Sequence, residues 1–427
     1  MIIYTVRAGD SVYELAQRYG VTTNDIVTIN QLSNPDRLAI GQALIIPVDY
    51  FEHTVIAGES LYTISRKYGV ALEEIVAENS SLSNPSRIFP GQSIRIPGER
   101  PKLRTIEVNG YAFPNISDES LRESLPSLTY LSVFSYQVRE DGSLVPINDT
   151  RLIRASKEAN VGPFMVITNI GESGGFDSDL ASSILYGTAV QDLLLNNIIN
   201  IMQNKGYIGL DIDFEYVYPS DRVAYNEFVE KVVNRLRPLG YLVTTALAPK
   251  ISGTQPGLLY EAHDYEFHGR IVDHVILMTY EWGYTYGPPM AVAPIDQVER
   301  VLRYAVSVIP SQKILMGMPN YGYDWMLPYQ QGSRATAISN LQAVNLAINN
   351  GAQIRFDAKS QAPYFYYYDA SGRRHVVWFD DARSIEARLK LIEKYNFGGV
   401  SFWTINRLFR TNWRVVESLY NVKKVGE

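Results

Sequence analysis

Two spacings of apolar residues organise this chain. From residue 105 onward, short runs rich in Val, Ile, Phe and Tyr recur at 105–113, 128–138, 162–170, 207–217, 242–250, 274–282, 313–325 and 398–406. Runs of this kind, bounded by turn residues, predict strands. Between them the spacing becomes helical, as at 224–240, 295–309 and 384–396, where Ile385, Leu389 and Ile392 share one face. Eight strands alternating with helices predict an α/β fold, a (β/α)8 TIM barrel over 99–427; a doubly wound sheet is the alternative. The gap at 326–397 is too long for a simple crossover. Within it "APYFYYYDASGRRHVVWFDD" places two aromatic runs about a turn at Ser371-Gly372. That predicts a hairpin in a small α+β insertion around 326–383, forming one wall of a cleft.

The first hundred residues repeat. Gly9, Tyr19 and Asn30 correspond to Gly58, Tyr68 and Asn79, each 49 positions later; Gly41 and Pro47 correspond to Gly91 and Pro97, 50 later. Self-similarity at this period means two copies of one small unit, 1–49 and 50–98. Each reads strand, helix, helix, strand. Asp10-Ser11 and Glu59-Ser60 are placed to cap the first helix, and Gly20 and Gly69 to end it. A polar linker, "GERPKL", follows at 98–103. Both copies resemble the LysM module, which binds N-acetylglucosamine-containing glycans such as peptidoglycan and chitin.

Composition narrows the chemistry. The chain has 46% hydrophobic and 20% charged residues, enough for a full core. A net charge of −6 disfavours a nucleic-acid or anionic-membrane partner. Thirty tyrosines fit a sugar-binding surface or simply strands. With no cysteine, disulfides, thiol nucleophiles and zinc ribbons are excluded. The five histidines show no metal spacing, so no metal or cofactor is expected. No apolar run is long enough to span a membrane. The N-terminus has no basic start followed by an apolar stretch, and no secretory signal is expected.

The run "YIGLDIDFEYV", 207–217, carries the strongest chemical signal. Asp211, Asp213 and Glu215 alternate with Leu210, Ile212 and Phe214, so the acids share one strand face. On a fourth barrel strand they would climb inward toward the C-terminal mouth, where barrel active sites form. No Lys or Arg stands nearby in sequence to neutralise them. Close carboxylates cannot both ionise cheaply, which raises one pKa and produces an acid for neutral pH.

"GLDIDFE" resembles the D-G-x-D-x-D-x-E signature of family 18 glycoside hydrolases. The resemblance implies that Glu215 is the general acid/base, that Asp213 orients the substrate acetamido group, and that Asp211 supports Asp213. Ile208 replaces the first Asp of the signature, and its loss is expected to tune Asp211. "MTYEWG" resembles the M-x-Y-D of strand six, with Tyr280 donating to the acetamido oxygen, Met278 near the sugar and Glu281 in place of Asp. "GMPNYG" resembles G-x-P-x-Y-G and brings in Tyr321. Trp403 matches the Trp that floors the sugar pocket, and Tyr111 an aromatic of the same pocket. "GESGG", 171–175, also fits a G-x-S-x-G nucleophile elbow, but the segment after strand three of family 18 suits it better.

The whole layout is similar to that of the spore-cortex-lytic enzymes of spore-forming Bacillus relatives. The resemblance implies a monomeric N-acetylglucosaminidase of cortex peptidoglycan, made in the cytosol, deposited on the spore and active in germination. It implies a retaining, substrate-assisted mechanism, outside the usual two-carboxylate scheme. A chitinase and an inactive glycan-binding coat protein are the rivals; Glu215 argues against the second.

Overall fold

The computed structural model describes residues 1–426. Eight parallel strands form a closed barrel: β1 (Thr105–Ala112), β2 (Tyr130–Gln137), β3 (Gly162–Thr168), β4 (Gly209–Asp213), β5 (Leu242–Leu247), β6 (His274–Leu277), β7 (Ile314–Pro319) and β8 (Gly399–Trp403). They pair in chain order, and β8 closes on β1 from Gly399↔Glu107 to Phe402↔Gly110. Alternation along β4 falls as the sequence predicts. Leu210, Ile212 and Phe214 are buried against the surrounding helices, where Phe214 stacks 5.9 Å from Phe228 of the helix Arg222–Leu236. Burying each such side chain contributes about 1.5–3 kcal/mol. The opposite face joins an inner cluster of Tyr111, Phe134, Val166, Ala246, Ile276 and Leu315, one from each of six other strands. Gly209 begins β4 because a Cβ there would lie 2.3 Å from the Phe164 ring.

The run 313–325 proves to be two strands. β7 ends at Pro319, and Gly322–Leu327 belongs to the insertion. Asn320 makes the bend. Its N–H donates to the Trp403 carbonyl at 3.0 Å, and its Nδ2 donates to the carbonyls of Thr404 and Arg407 at 2.8 and 2.7 Å. The insertion therefore starts earlier than 326. Its five-stranded antiparallel sheet runs Thr336–Ile338, Gly322–Leu327, Arg374–Trp378, Ala362–Tyr368, Arg355–Asp357, with the helix Asn340–Asn349 beside it. The hairpin at Ser371-Gly372 is present, with Tyr368 paired to Arg374.

Each N-terminal repeat folds as a βααβ unit: Ile2–Thr5 pairs with Ala43–Ile46, and Tyr50–Thr54 with Ser93–Pro97. Ser11 and Ser60 cap the first helices, and Gly20 and Gly69 end them at φ 68°. The preceding acids serve otherwise. Asp10 accepts from Tyr4 Oη at 2.8 Å, and Glu59 contacts His53 Nε2 at 2.7 Å and accepts from Lys67 at 3.3 Å.

The two repeats differ in what they touch. The first is docked on the barrel domain. Ile354 N–H donates to the Ile40 carbonyl at 2.9 Å, and Ala39 is buried among Ala343, Ala347, Ile354 and Phe365 of the insertion. Arg383 donates to the Gly41 carbonyl at 3.1 Å, and Arg410 to the Thr28 carbonyl at 3.1 Å. The second repeat lends Tyr50 to the core of the first, but Phe51, Leu61, Ile64, Ile75, Ile94 and Ile96 form a core of their own. Its Phe89, at the position equivalent to Ala39, is 55% exposed.

Candidate active site

A cleft of about 1190 Å³ opens at the C-terminal ends of the barrel strands. Tyr111, Asp213, Glu215, Met278, Tyr280, Tyr321 and Trp403 all line it. Of the residues predicted from sequence, Asp211 alone lies beneath, fully buried. Its carboxylate accepts from Tyr111 Oη at 2.5 Å and Thr244 Oγ1 at 2.6 Å. Burial still pushes it up to about 6 against those two bonds.

Asp213 is the last residue of β4 and only 3% exposed. Its Oδ1 is buried and has no hydrogen-bond partner among the described residues. Burial, followed by the charges of Glu215 and Asp211, raises it well above the carboxylate range. Burial and like charge both favour the protonated form, and the side chain keeps one polar atom unpartnered at the lining of the cleft. Glu215 stands just past the strand end, half-buried at the cleft floor. Burial, then the Glu281 charge, pushes it upward too. No Lys or Arg forms an ion pair with any of the three acids among the described residues, so they are not a neutralised packing network.

The floor around them is aromatic. Trp403 packs edge-on against Phe134 at 4.8 Å and Tyr111 at 5.2 Å. Tyr280, buried at the end of the β6 segment, has its hydroxyl raised by burial and then by Asp213 and Glu215, so it remains a donor. Glu281 adopts φ 67° and accepts from Tyr321 Oη and from Tyr323 Oη at 3.1 Å. Those two bonds tie the carboxylate to the wall that carries Tyr321 and Tyr323.

Sequence reasoning missed three parts of this site. Asn169 is fully buried at the end of β3. Its Oδ1 accepts from Glu215 N–H at 2.9 Å and its Nδ2 donates to the Glu215 carbonyl at 2.8 Å. A lone Asn in an apolar run was the available signal. His263, held neutral because burial lowers it to about 4, accepts from Ala248 N–H through Nδ1 and donates through Nε2 to the Phe214 carbonyl at 3.0 Å. Tyr323 is the third, one strand further than the aromatic motif was read. Ile208, in contrast, packs toward Gly162 at the lower end of the barrel, and the bonds to Asp211 come from elsewhere. The stretch 171–175 forms an exposed turn closed by Gly171 N–H to the Gly175 carbonyl at 2.8 Å, with Ser173 in solvent. It is not a strained elbow.

Comparison with known proteins agrees with this geometry. Residues 110–407 match the profile of glycosyl hydrolases family 18, and residues 4–47 and 53–97 match the LysM domain. The chain is 45% identical over 431 residues to the cortical fragment-lytic enzyme of Bacillus subtilis strain 168, covering 99% of both chains. It is similar to the crystal structure of the spore cortex-lytic enzyme SleL of Bacillus megaterium QM B1551, with a TM-score of 0.89, 40% identity and coverage of 99% and 98%. Against the SleL of Bacillus cereus the TM-score is 0.86, with 41% identity and coverage of 100% and 99%.

Proposed function

The chain belongs to glycosyl hydrolase family 18, and on that premise we propose that it is an N-acetylglucosaminidase of spore-cortex peptidoglycan, acting on the spore during germination. The relatives named for cortex lysis, which it matches end to end, support the polymer. The two LysM modules support attachment to that polymer. Two weak sites on one chain raise the effective concentration of the enzyme at its substrate.

The observation that carries the reading is the placing on one strand face, at the cleft, of Asp213, whose buried Oδ1 has no partner among the described residues, and Glu215, whose pKa burial raises to about 7. The substrate acetamido oxygen attacks C1 of the sugar in subsite −1. The glycosidic C1–O bond breaks as Glu215 delivers its proton to the leaving oxygen. An oxazolinium forms, and Asp213 and Tyr280 hold the acetamido group as its charge develops. Water then attacks C1 as the bond from C1 to the acetamido oxygen breaks, one of its protons passes to Glu215, the acetamido group is regenerated, and the anomeric configuration is retained. Trp403 and Tyr111 floor the sugar, and Met278 and Tyr321 line its sides. Asp211 steadies Asp213 from below. The reaction needs a free N-acetyl group in −1. Muramic δ-lactam lacks one, and a lactyl group would crowd the aromatic floor. N-acetylglucosamine therefore occupies −1, and cleavage falls on its reducing side.

Purified cortex peptidoglycan digested by the wild type and by Glu215→Gln, with products resolved by chromatography and mass, tests this. New reducing-end N-acetylglucosamine from the wild type alone is expected. Equal release by both would remove Glu215 from the mechanism. Activity on chitin oligomers with cortex left intact would favour a chitinase.

A further inference from the structure

Two guanidinium groups line the cleft, and they are held differently. Arg300 is exposed and donates to Gln297 at 3.0 Å. Arg407 lies four residues past the end of β8, beyond Trp403, on the same wall as Tyr321 and Tyr323. Its Nη1 is buried without a hydrogen-bond partner, and it forms no ion pair with an acid among the described residues. The nearest influences on it besides burial are the hydroxyls of Tyr321 and Tyr323. Both of those hydroxyls already donate to Glu281. An Arg without a counter-charge, partly removed from water, is costly in the free protein unless a ligand completes it. Its planar fork matches a carboxylate with two parallel bonds.

The cleft is otherwise acidic, with Asp213, Glu215 and Glu281. An unpaired cation there selects for an anionic substituent next to the reacting sugar. We propose that Arg407 binds the carboxylate carried by a muramoyl residue adjoining the N-acetylglucosamine in −1, whether that carboxylate ends the lactyl group or a short peptide attached to it. This rests on the peptidoglycan reading above and adds to it the feature that distinguishes the polymer. Chitin oligomers carry no carboxylate and gain nothing from Arg407.

The experiment compares kcat/KM on defined cortex fragments bearing a free muramoyl carboxylate with kcat/KM on N-acetylglucosamine oligomers. The Arg407→Gln variant is expected to lower the ratio of the two by about 10- to 100-fold, the range of a hydrogen bond to a charged group. Arg407→Lys is expected to restore part of it. The same fragments with their carboxyl groups amidated, given to the wild type, are expected to lose the same factor, and this arm needs no variant to fold. The advantage of the acidic fragments should also shrink as salt is raised. An unchanged ratio in Arg407→Gln, or amidated fragments cut as well as acidic ones, overturns the assignment while leaving the proposed function standing. A wild type that cuts no cortex fragment of either kind overturns the proposed function, and this inference with it.

Discussion

Asn169 grips Glu215 by both of its backbone groups, accepting from its N–H at 2.9 Å and donating to its carbonyl at 2.8 Å. The acid proposed to protonate the leaving group thus stands beyond the end of β4 but is held by the residue that follows β3. Asn169→Asp keeps the acceptor and loses the donor. It is expected to reduce kcat by about 10- to 100-fold with little change in KM, since a small displacement of a catalytic group weakens transition-state interactions most. Steady-state kinetics on cortex fragments reads the split; an unchanged kcat would show that His263 and the Phe214 carbonyl suffice.

Glu215 is held at about 7 by burial and the Glu281 charge, against 4.5 for an ordinary glutamate. Its acid form is needed, so kcat/KM should fall as pH rises through about 7. Stability follows the same sign. Below pH 4.5 the group is protonated folded and unfolded alike and has no effect. Between pH 4.5 and about 7 the unfolded chain gives up the proton while the folded protein keeps it, so stability falls across that window and is level above it. Glu215→Gln is therefore expected to be more stable than the wild type by about 1–3 kcal/mol at pH 8, with the gap closing toward pH 4.5. Thermal melts across that range measure it.

Tyr111→Phe removes one of the two donors to a fully buried carboxylate. A loss of about 1–3 kcal/mol of stability is expected, larger at pH 8 than at pH 5 because the ionised form depends on the donor. Denaturant unfolding at the two pH values shows whether the difference exists.

The two equivalent positions in the repeats give opposite expectations. Ala39→Phe forces a ring into the packed cluster of the insertion and should cost about 1–3 kcal/mol. Phe89→Ala removes an exposed ring and should leave the melting temperature in place, while retention on insoluble peptidoglycan falls about 2- to 10-fold. Calorimetry and a pelleting assay separate the two.

What could be read from the chain depended on periodicity. The barrel strands and the repeat were legible because burial on one face imposes a short, regular spacing, and Asp211, Asp213 and Glu215 stood out as acids breaking an apolar run. What was not legible came from residues far apart in sequence. Asn169 and Glu215 meet across 46 positions, and Ser33 bonds Asn345 across 312. The bend at Asn320 depends on carbonyls that arrive with β8, so no local spacing marks where β7 ends. Arg407 gave no signal because its significance is a buried Nη1 without a hydrogen-bond partner among the described residues, and only the folded neighbourhood defines that.

The first module is fastened to the barrel, and the second sits between it and the barrel in the chain. Both ends of the second module are consequently anchored to one body, and they are themselves joined, Gly98 N–H to the Asp49 carbonyl at 2.7 Å. A module tied in this way has a shorter reach than one hung from a single free linker. On the proposed function, that reach sets which bonds of a glycan strand bound by the second module can be presented to Glu215.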